Sequence, residues 1–112
     1  MKFNHLFPFG RISQGSHIVI YGAGSIGRAY LQQVLMTDYC TVVCMSDRHA
    51  DVYEDLAVPV ITPDRIHEKA FDRVVLAVKS AETRKVFRSI LVAQGVPEEK
   101  IVEWEEPNVS IH

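Results

Sequence analysis

The stretch His17-Ile18-Val19-Ile20-Tyr21-Gly22-Ala23-Gly24-Ser25-Ile26-Gly27-Arg28 constrains this chain more than any other. A short, largely β-branched run ends on three glycines spaced G-x-G-x-x-G, and apolar residues at helical spacing follow at once. The run has the composition of a buried parallel strand. Ile26, Tyr30 and Val34, widened by Ala29 and Leu35, form the inward stripe of a helix predicted over 25–36. A strand that turns directly into a helix needs positions without side chains. Gly22 permits the tight turn, Gly24 lets another group approach the backbone, and Gly27 lets the helix lie close to the strand.

The rest of the chain repeats this alternation. Residues 41–45 predict a second strand, closed by Ser46 and Asp47 and followed by a polar loop with Arg48, His49 and Asp51. Residues 58–61 predict a short third strand, which Pro59 places near an edge. Thr62 and Pro63 suit the N-cap and first residue of a short helix ending near Lys69. Residues 73–78 predict a fourth strand. Ser80 suits the cap of a further helix, in which Thr83, Val86, Phe87, Ile90 and Leu91 face inward while Glu82, Arg84, Lys85 and Arg88 face away. Gly95 and Pro97 stop it. Residues 100–104 predict a fifth strand before an acidic end (Glu103, Glu105, Glu106), with Trp104 covering the sheet. Strands alternating with helices, joined by right-handed crossovers, imply a doubly wound α/β domain. Its parallel sheet has about five strands in the order 3-2-1-4-5, between two helical layers.

A chain of 112 residues fits one domain that needs no disulfide or metal to fold. The domain is expected over 17–106. Residues 1–16 stand apart as an apolar segment or linker containing Phe3, Leu6, Phe7, Pro8 and Phe9. Exposed together, these would invite aggregation. They are expected either to cover an edge of their own domain or to meet a partner subunit, as in a homo-oligomer, or an adjoining domain. The formal net charge of −2 suggests no nucleic acid and no anionic membrane surface as partner. With no signal peptide and no long apolar run, the expected location is the cytoplasm, with Cys40 and Cys44 reduced. The two cysteines share a parity along the second strand, and Cys44 suits a core position. No metal-ligand spacing occurs, and His17 and His67 suit structural or exposed roles.

The context of the glycines gives them a chemistry. They follow a strand and open a helix, and Asp47 lies 20 residues after Gly27 at the end of the next strand. The helix beginning at Ser25 offers unpaired N–H groups and the positive end of its dipole to a pyrophosphate. Asp47 can accept hydrogen bonds from a ribose hydroxyl pair. Its charge would repel a 2′-phosphate and so favours NAD over NADP, a preference that Arg48 weakens. Arg28 either reaches the pyrophosphate or lies along the helix. Ligands of such sheets sit beyond the strand ends at the switch between strands 1 and 4, so Val78, Lys79 and Ser80 should border the site. Lys79 then either contacts phosphate or substrate, or is solvated. The candidate cofactor residues are Gly22, Ala23, Gly24, Ser25, Ile26, Gly27, Asp47, Arg48, Val78 and Lys79. Two other readings fit the same residues: a bare tight turn with a solvated acid, and a site for an adenosyl or coenzyme A group.

Gly22-Ala23-Gly24-Ser25-Ile26-Gly27 with Asp47 resembles the fingerprint of the NAD(P)-binding Rossmann family, and the resemblance covers residues 17–104. It implies a Rossmann-like fold and NAD as cofactor. More narrowly, Phe7-Pro8-Phe9, the run from Gly15 to Gly24, and Pro97-Glu98-Glu99-Lys100-Ile101 look like the nucleotide-binding modules of bacterial nucleotide-sugar epimerase/dehydratase and polysaccharide-biosynthesis proteins. That likeness implies an oxidoreductase-type setting with a nucleotide-sugar substrate. The Y-x-x-x-K pair of short-chain dehydrogenases and epimerases is absent, since the residues four beyond the tyrosines are Ser25, Val34, Val43 and Ala57. Catalytic residues are therefore expected outside this chain, which leaves enzymatic activity open. The alternative is a non-enzymatic module that senses a nucleotide.

Overall fold

β1 (His17–Tyr21) is buried from Ile18 to Tyr21 because it is the middle strand of the sheet. In the computed structural model, which describes residues 5–103, it pairs in parallel with β2 (Thr41–Ser46) on one side and β4 (Arg73–Leu76) on the other. β3 (Val60–Ile61) extends the sheet beyond β2, and β5 (Ile101–Glu103) beyond β4. All pairs are parallel and the order is β3-β2-β1-β4-β5, the doubly wound topology expected from the sequence. α1 (Ser25–Thr37) packs on one face and α2 (Ala81–Ala93) on the other. Phe3, Trp104, Glu105 and Glu106 lie outside the described residues, so the expected end of the domain at residue 106 does too.

Several local expectations change. The 62–69 helix is a 3₁₀ turn, Pro63–Glu68, and Thr62 precedes it without a side-chain capping bond. β3 is only two residues long. Pro59 has no N–H to donate, but its carbonyl accepts from the Met45 amide at the sheet edge. The inward stripe of α1 is centred on Gly27, Tyr30, Leu31, Gln33 and Val34, which turns Leu35 outward at 54% exposure. The cysteines do not share a face. A bulge in β2 pairs Ile18 with Val42 but Val19 with Cys44, skipping Val43. The extra residue flips the alternation, so Cys40 packs on the α1 side and Cys44 on the α2 side. Burial pushes both thiols up, so they stay protonated and inert.

The segment before β1 packs on the domain it precedes. Phe7 is fully buried, edge-on to Phe9 at 5.0 Å and to Tyr30 at 5.6 Å. The buried Gln33 accepts from the Phe7 amide at 2.9 Å and donates to the His5 carbonyl at 2.7 Å. The Tyr39 hydroxyl donates to the Phe9 and Ile12 carbonyls. Backbone polar groups that run outside any ladder thus find partners on and beside α1. Among the described residues, no helix is long and apolar enough to cross a membrane.

Truncating Phe7 removes a ring from a closed aromatic cluster. Phe7→Ala should destabilise the chain by about 3–5 kcal/mol in urea unfolding, whereas Leu6→Ala, at an exposed position, should change stability by less than about 0.5 kcal/mol.

Candidate functional site

The β1–α1 turn is drawn so tight that two of its glycines are steric necessities. Gly22 sits at φ +115°, and a Cβ there would meet the Ala77 carbonyl oxygen at 2.8 Å. A Cβ on Gly27 would fall 1.8 Å from the Gly22 carbonyl oxygen. Gly24 differs. Its φ is −74°, open to any residue, and a Cβ there would meet nothing within 4 Å. The fold needs Gly22 and Gly27. The third glycine keeps clear the space in front of the turn.

That space is a cavity of about 330 Å³ whose wall includes Gly22, Gly24, Ser25, Ile26, Asp47 and the segment from Ala77 to Ser80. Gly24 caps α1 without a side chain, so no side-chain oxygen caps the helix amides there. In α2 the Ser80 hydroxyl fills that role by accepting from the Thr83 amide at 3.3 Å. The α1 N-terminus therefore keeps donors and its positive dipole end available to an anion. Ala23 and Gly27 lie buried behind the turn. Arg28 lies back along the helix, its Nε donating to the Gly24 carbonyl at 3.3 Å.

Asp47 joins this cradle to a second space. One carboxylate oxygen accepts from the Ala23 amide at 3.0 Å and the other from the His49 amide at 2.9 Å. The side chain thus ties the end of β2 to the glycine turn, and its remaining lone pairs can still accept from a ligand hydroxyl. Beyond it opens a cavity of about 550 Å³, walled by Tyr21, Tyr53, Pro63, Val86, Phe87 and Ile90, with Asp47, Arg48, His49 and Glu82 at its polar parts. The two spaces share Asp47, Thr83 and Phe87. A cradle for phosphates, an acid at its corner and a larger, mostly apolar chamber beyond form the outline of a nucleotide site.

Sequence reasoning missed several of these residues. Tyr21 ends β1 and stacks on Phe87 of α2 at 3.8 Å with the rings 6° from parallel. Its phenol is raised to about 12 by burial, and the negative charge of Asp47 adds to the shift. The missed signal was Tyr21 itself, whose parity places it opposite the residues that face α1. Two α2 residues expected to face away from the domain do not. The Arg84 guanidinium donates to the Lys79 carbonyl at 2.6 Å and the Val78 carbonyl at 3.3 Å, bracing the loop after β4. Arg88 pairs with Glu103 at 3.2 Å and Glu98 at 3.6 Å, tying α2 to β5. Conversely, Val86, expected inward, is 56% exposed at the chamber's wall. Of the ten candidate residues, Gly22, Gly24, Ser25, Ile26, Asp47, Val78 and Lys79 meet around the cradle, while Arg48 lies on the chamber.

No family model and no curated protein matches this chain. Its likeness is to solved structures. The structure of RSP, a Rex-family repressor, matches with a TM-score of 0.63 at 14% identity, over 86% of this chain and 55% of that one. The structure of RSP in complex with β-NAD⁺ and operator DNA matches with a TM-score of 0.62 at 13% identity, over 83% of this chain and 51% of that one. At such identities the likeness is one of fold, and the chain spans about half the length of these repressor chains. It overturns one expectation. A domain of this fold occurs in a protein crystallised with operator DNA, so a net charge of −2 is no ground for excluding nucleic acid as a partner. Net charge describes the domain and carries no information about contacts made elsewhere in a longer assembly.

The glycines should separate by substitution. Gly27→Ala should cost about 3 kcal/mol or more in chemical denaturation, while Gly24→Ala should leave stability within about 0.5 kcal/mol. The Tyr21 phenol gives a pH signature. A group whose folded pKa is raised stabilises the fold fully below its unfolded pKa and loses that contribution as pH rises to the folded value. Stability should therefore decline between about pH 10 and about 12, and Tyr21→Phe should flatten that decline in thermal melts across the range.

Proposed function

We propose that this chain is an NAD-binding domain acting as a nucleotide-sensing unit. The observation that carries the reading is Gly24. The turn would accept a side chain at that position, so a glycine there is explained by a ligand that must approach the backbone. The pyrophosphate would lie against the α1 N-terminus. Asp47 would take the adenosine ribose, and the chamber beside Tyr21 and Phe87 would take the base. Asp47 at the ribose position supports NAD over NADP, because a carboxylate repels a 2′-phosphate. Arg48, with its Nε directed to His49 at 3.2 Å, is held beside the acid.

Sensing is preferred to catalysis because of the company this fold keeps. The two similar structures are repressors, and one holds β-NAD⁺ and operator DNA together. By extension, occupancy of this domain would be read by a regulatory element in the same assembly, with DNA as that assembly's partner. The oxidoreductase setting, with a nucleotide-sugar substrate and catalytic residues outside the chain, rests only on the narrower sequence likeness. The two readings differ in what happens to the cofactor: a sensor returns NAD unchanged, whereas an oxidoreductase assembly interconverts its oxidised and reduced forms.

Isothermal titration with NAD⁺, NADH and NADP⁺ checks the proposal. Binding of NAD⁺ or NADH is expected, with NADP⁺ at least about tenfold weaker and the gap narrowed in Asp47→Ala. Gly24→Val should abolish binding while leaving the thermal midpoint in place. A folded chain with no heat for any of these nucleotides would sink the reading.

A further inference from the structure

A third cavity, of about 220 Å³, adjoins the cradle on the side away from Asp47. His5 from the N-terminal segment, Ile26 and Tyr30 from α1, Val78 and Lys79 from the loop after β4, and Arg84 from α2 wall it. Ile26, Val78 and Lys79 also line the cradle, so the two spaces meet edge to edge.

Three features distinguish this cavity. Its lining carries His5, Lys79 and Arg84 but no carboxylate, whereas Asp47 and Glu82 both line the large chamber. The large chamber holds both signs, with Arg48 and His49 beside its two carboxylates, so the small cavity is the one lined by basic groups without an acid. Next, Tyr30 is 1% exposed and lines the cavity, yet its hydroxyl makes no hydrogen bond among the described residues. Its oxygen is not sealed, since the buried unpartnered side-chain atom among the described residues is Ser46 Oγ, so the hydroxyl opens on the cavity that Tyr30 lines. Last, Arg84 is held in place before any ligand arrives. Nη1 is anchored on the Lys79 and Val78 carbonyls, while Nε and Nη2 make no hydrogen bond among the described residues. Its charge opposes the upward effect of burial on the Tyr30 phenol, so guanidinium and hydroxyl act on the same small volume. A guanidinium held by one nitrogen keeps the rest of its fork for an oxyanion.

We propose that this cavity is an anion subsite that takes a carboxylate or phosphate group, held by Arg84, Lys79 and the Tyr30 hydroxyl, beside whatever nucleotide fills the cradle. Ala81, the first residue of α2, also lines it and adds the positive end of that helix. With the pyrophosphate in the cradle, the anionic group comes from a separate small molecule, since the half of a dinucleotide beyond its phosphates carries no negative charge. The subsite does not depend on the nucleotide being NAD.

The test is an NMR titration of the full chain with sodium malonate and with inorganic phosphate, in the presence of saturating ADP to block the cradle. Saturable shifts of the Ala81 and Arg84 amides are expected. Tyr30→Phe, which keeps the ring packed on Phe7, should weaken malonate roughly fivefold while leaving ADP affinity unchanged. His5→Ala should weaken malonate as well. If NAD displaces malonate where ADP does not, the cavity is the room for the uncharged half of a dinucleotide and the proposal fails. If both leave malonate bound, the cavity serves a separate anion, as proposed. Displacement of malonate by ADP alone, absence of saturable shifts, or equal binding by wild type, Tyr30→Phe and His5→Ala would overturn it. A chain that bound malonate through Tyr30 but no NAD would refute the function proposed above and leave the subsite standing.

Discussion

The closeness of α1 to β1 is the constraint on which the rest of this domain depends. With a Cβ position on Gly27 only 1.8 Å from the Gly22 carbonyl, helix and strand touch through bare backbone. That contact aims the α1 N-terminus across the end of the sheet. It brings Gly22 against Ala77, which joins the β1 turn to the end of β4. The switch between β1 and β4 is where the sheet's helices part to opposite faces, and the cradle lies in that opening.

Side chains then set what the opening can hold. Asp47 closes one corner by accepting from the Ala23 and His49 amides. Arg84 closes the opposite corner by donating to the carbonyls of Val78 and Lys79. Each latch satisfies backbone groups that a loop would otherwise leave to water, and each places a formal charge beside the cradle. The result is a site whose large chamber carries both signs and whose small cavity is lined by basic groups without a carboxylate.

The sheet was legible in the sequence because each strand is a short apolar run ended by a glycine, proline or polar cluster. The glycine turn was legible because few other uses of three glycines follow a strand and precede a helix. What escaped was whatever depends on contacts between distant residues. The bulge at Val43 leaves no mark in the residue pattern, so parity placed Cys40 and Cys44 on one face when the fold puts them on two. Arg84 and Arg88 look like solvent-facing cations on a helical wheel. Their partners, two loop carbonyls and a pair of glutamates near β5, are neighbours only after folding. Nothing in the helix pattern marks Gln33 for burial, because its partners, the Phe7 amide and the His5 carbonyl, lie in a segment that meets α1 only in the folded domain.

The sequence by itself determined the strand order and the place of the cradle, because periodicity and glycine spacing are local properties that survive without knowing any contact. It also placed an acid at the end of β2. Tertiary structure alone decided which glycines the fold requires and which it does not, since that depends on whether an atom of Gly22 or Ala77 lies where a Cβ would go. It alone decided that Tyr21 and Phe87 form one stacked wall, and that Tyr30 lines a third cavity. Those facts concern distances between residues far apart in the chain, and only the packed domain sets such distances.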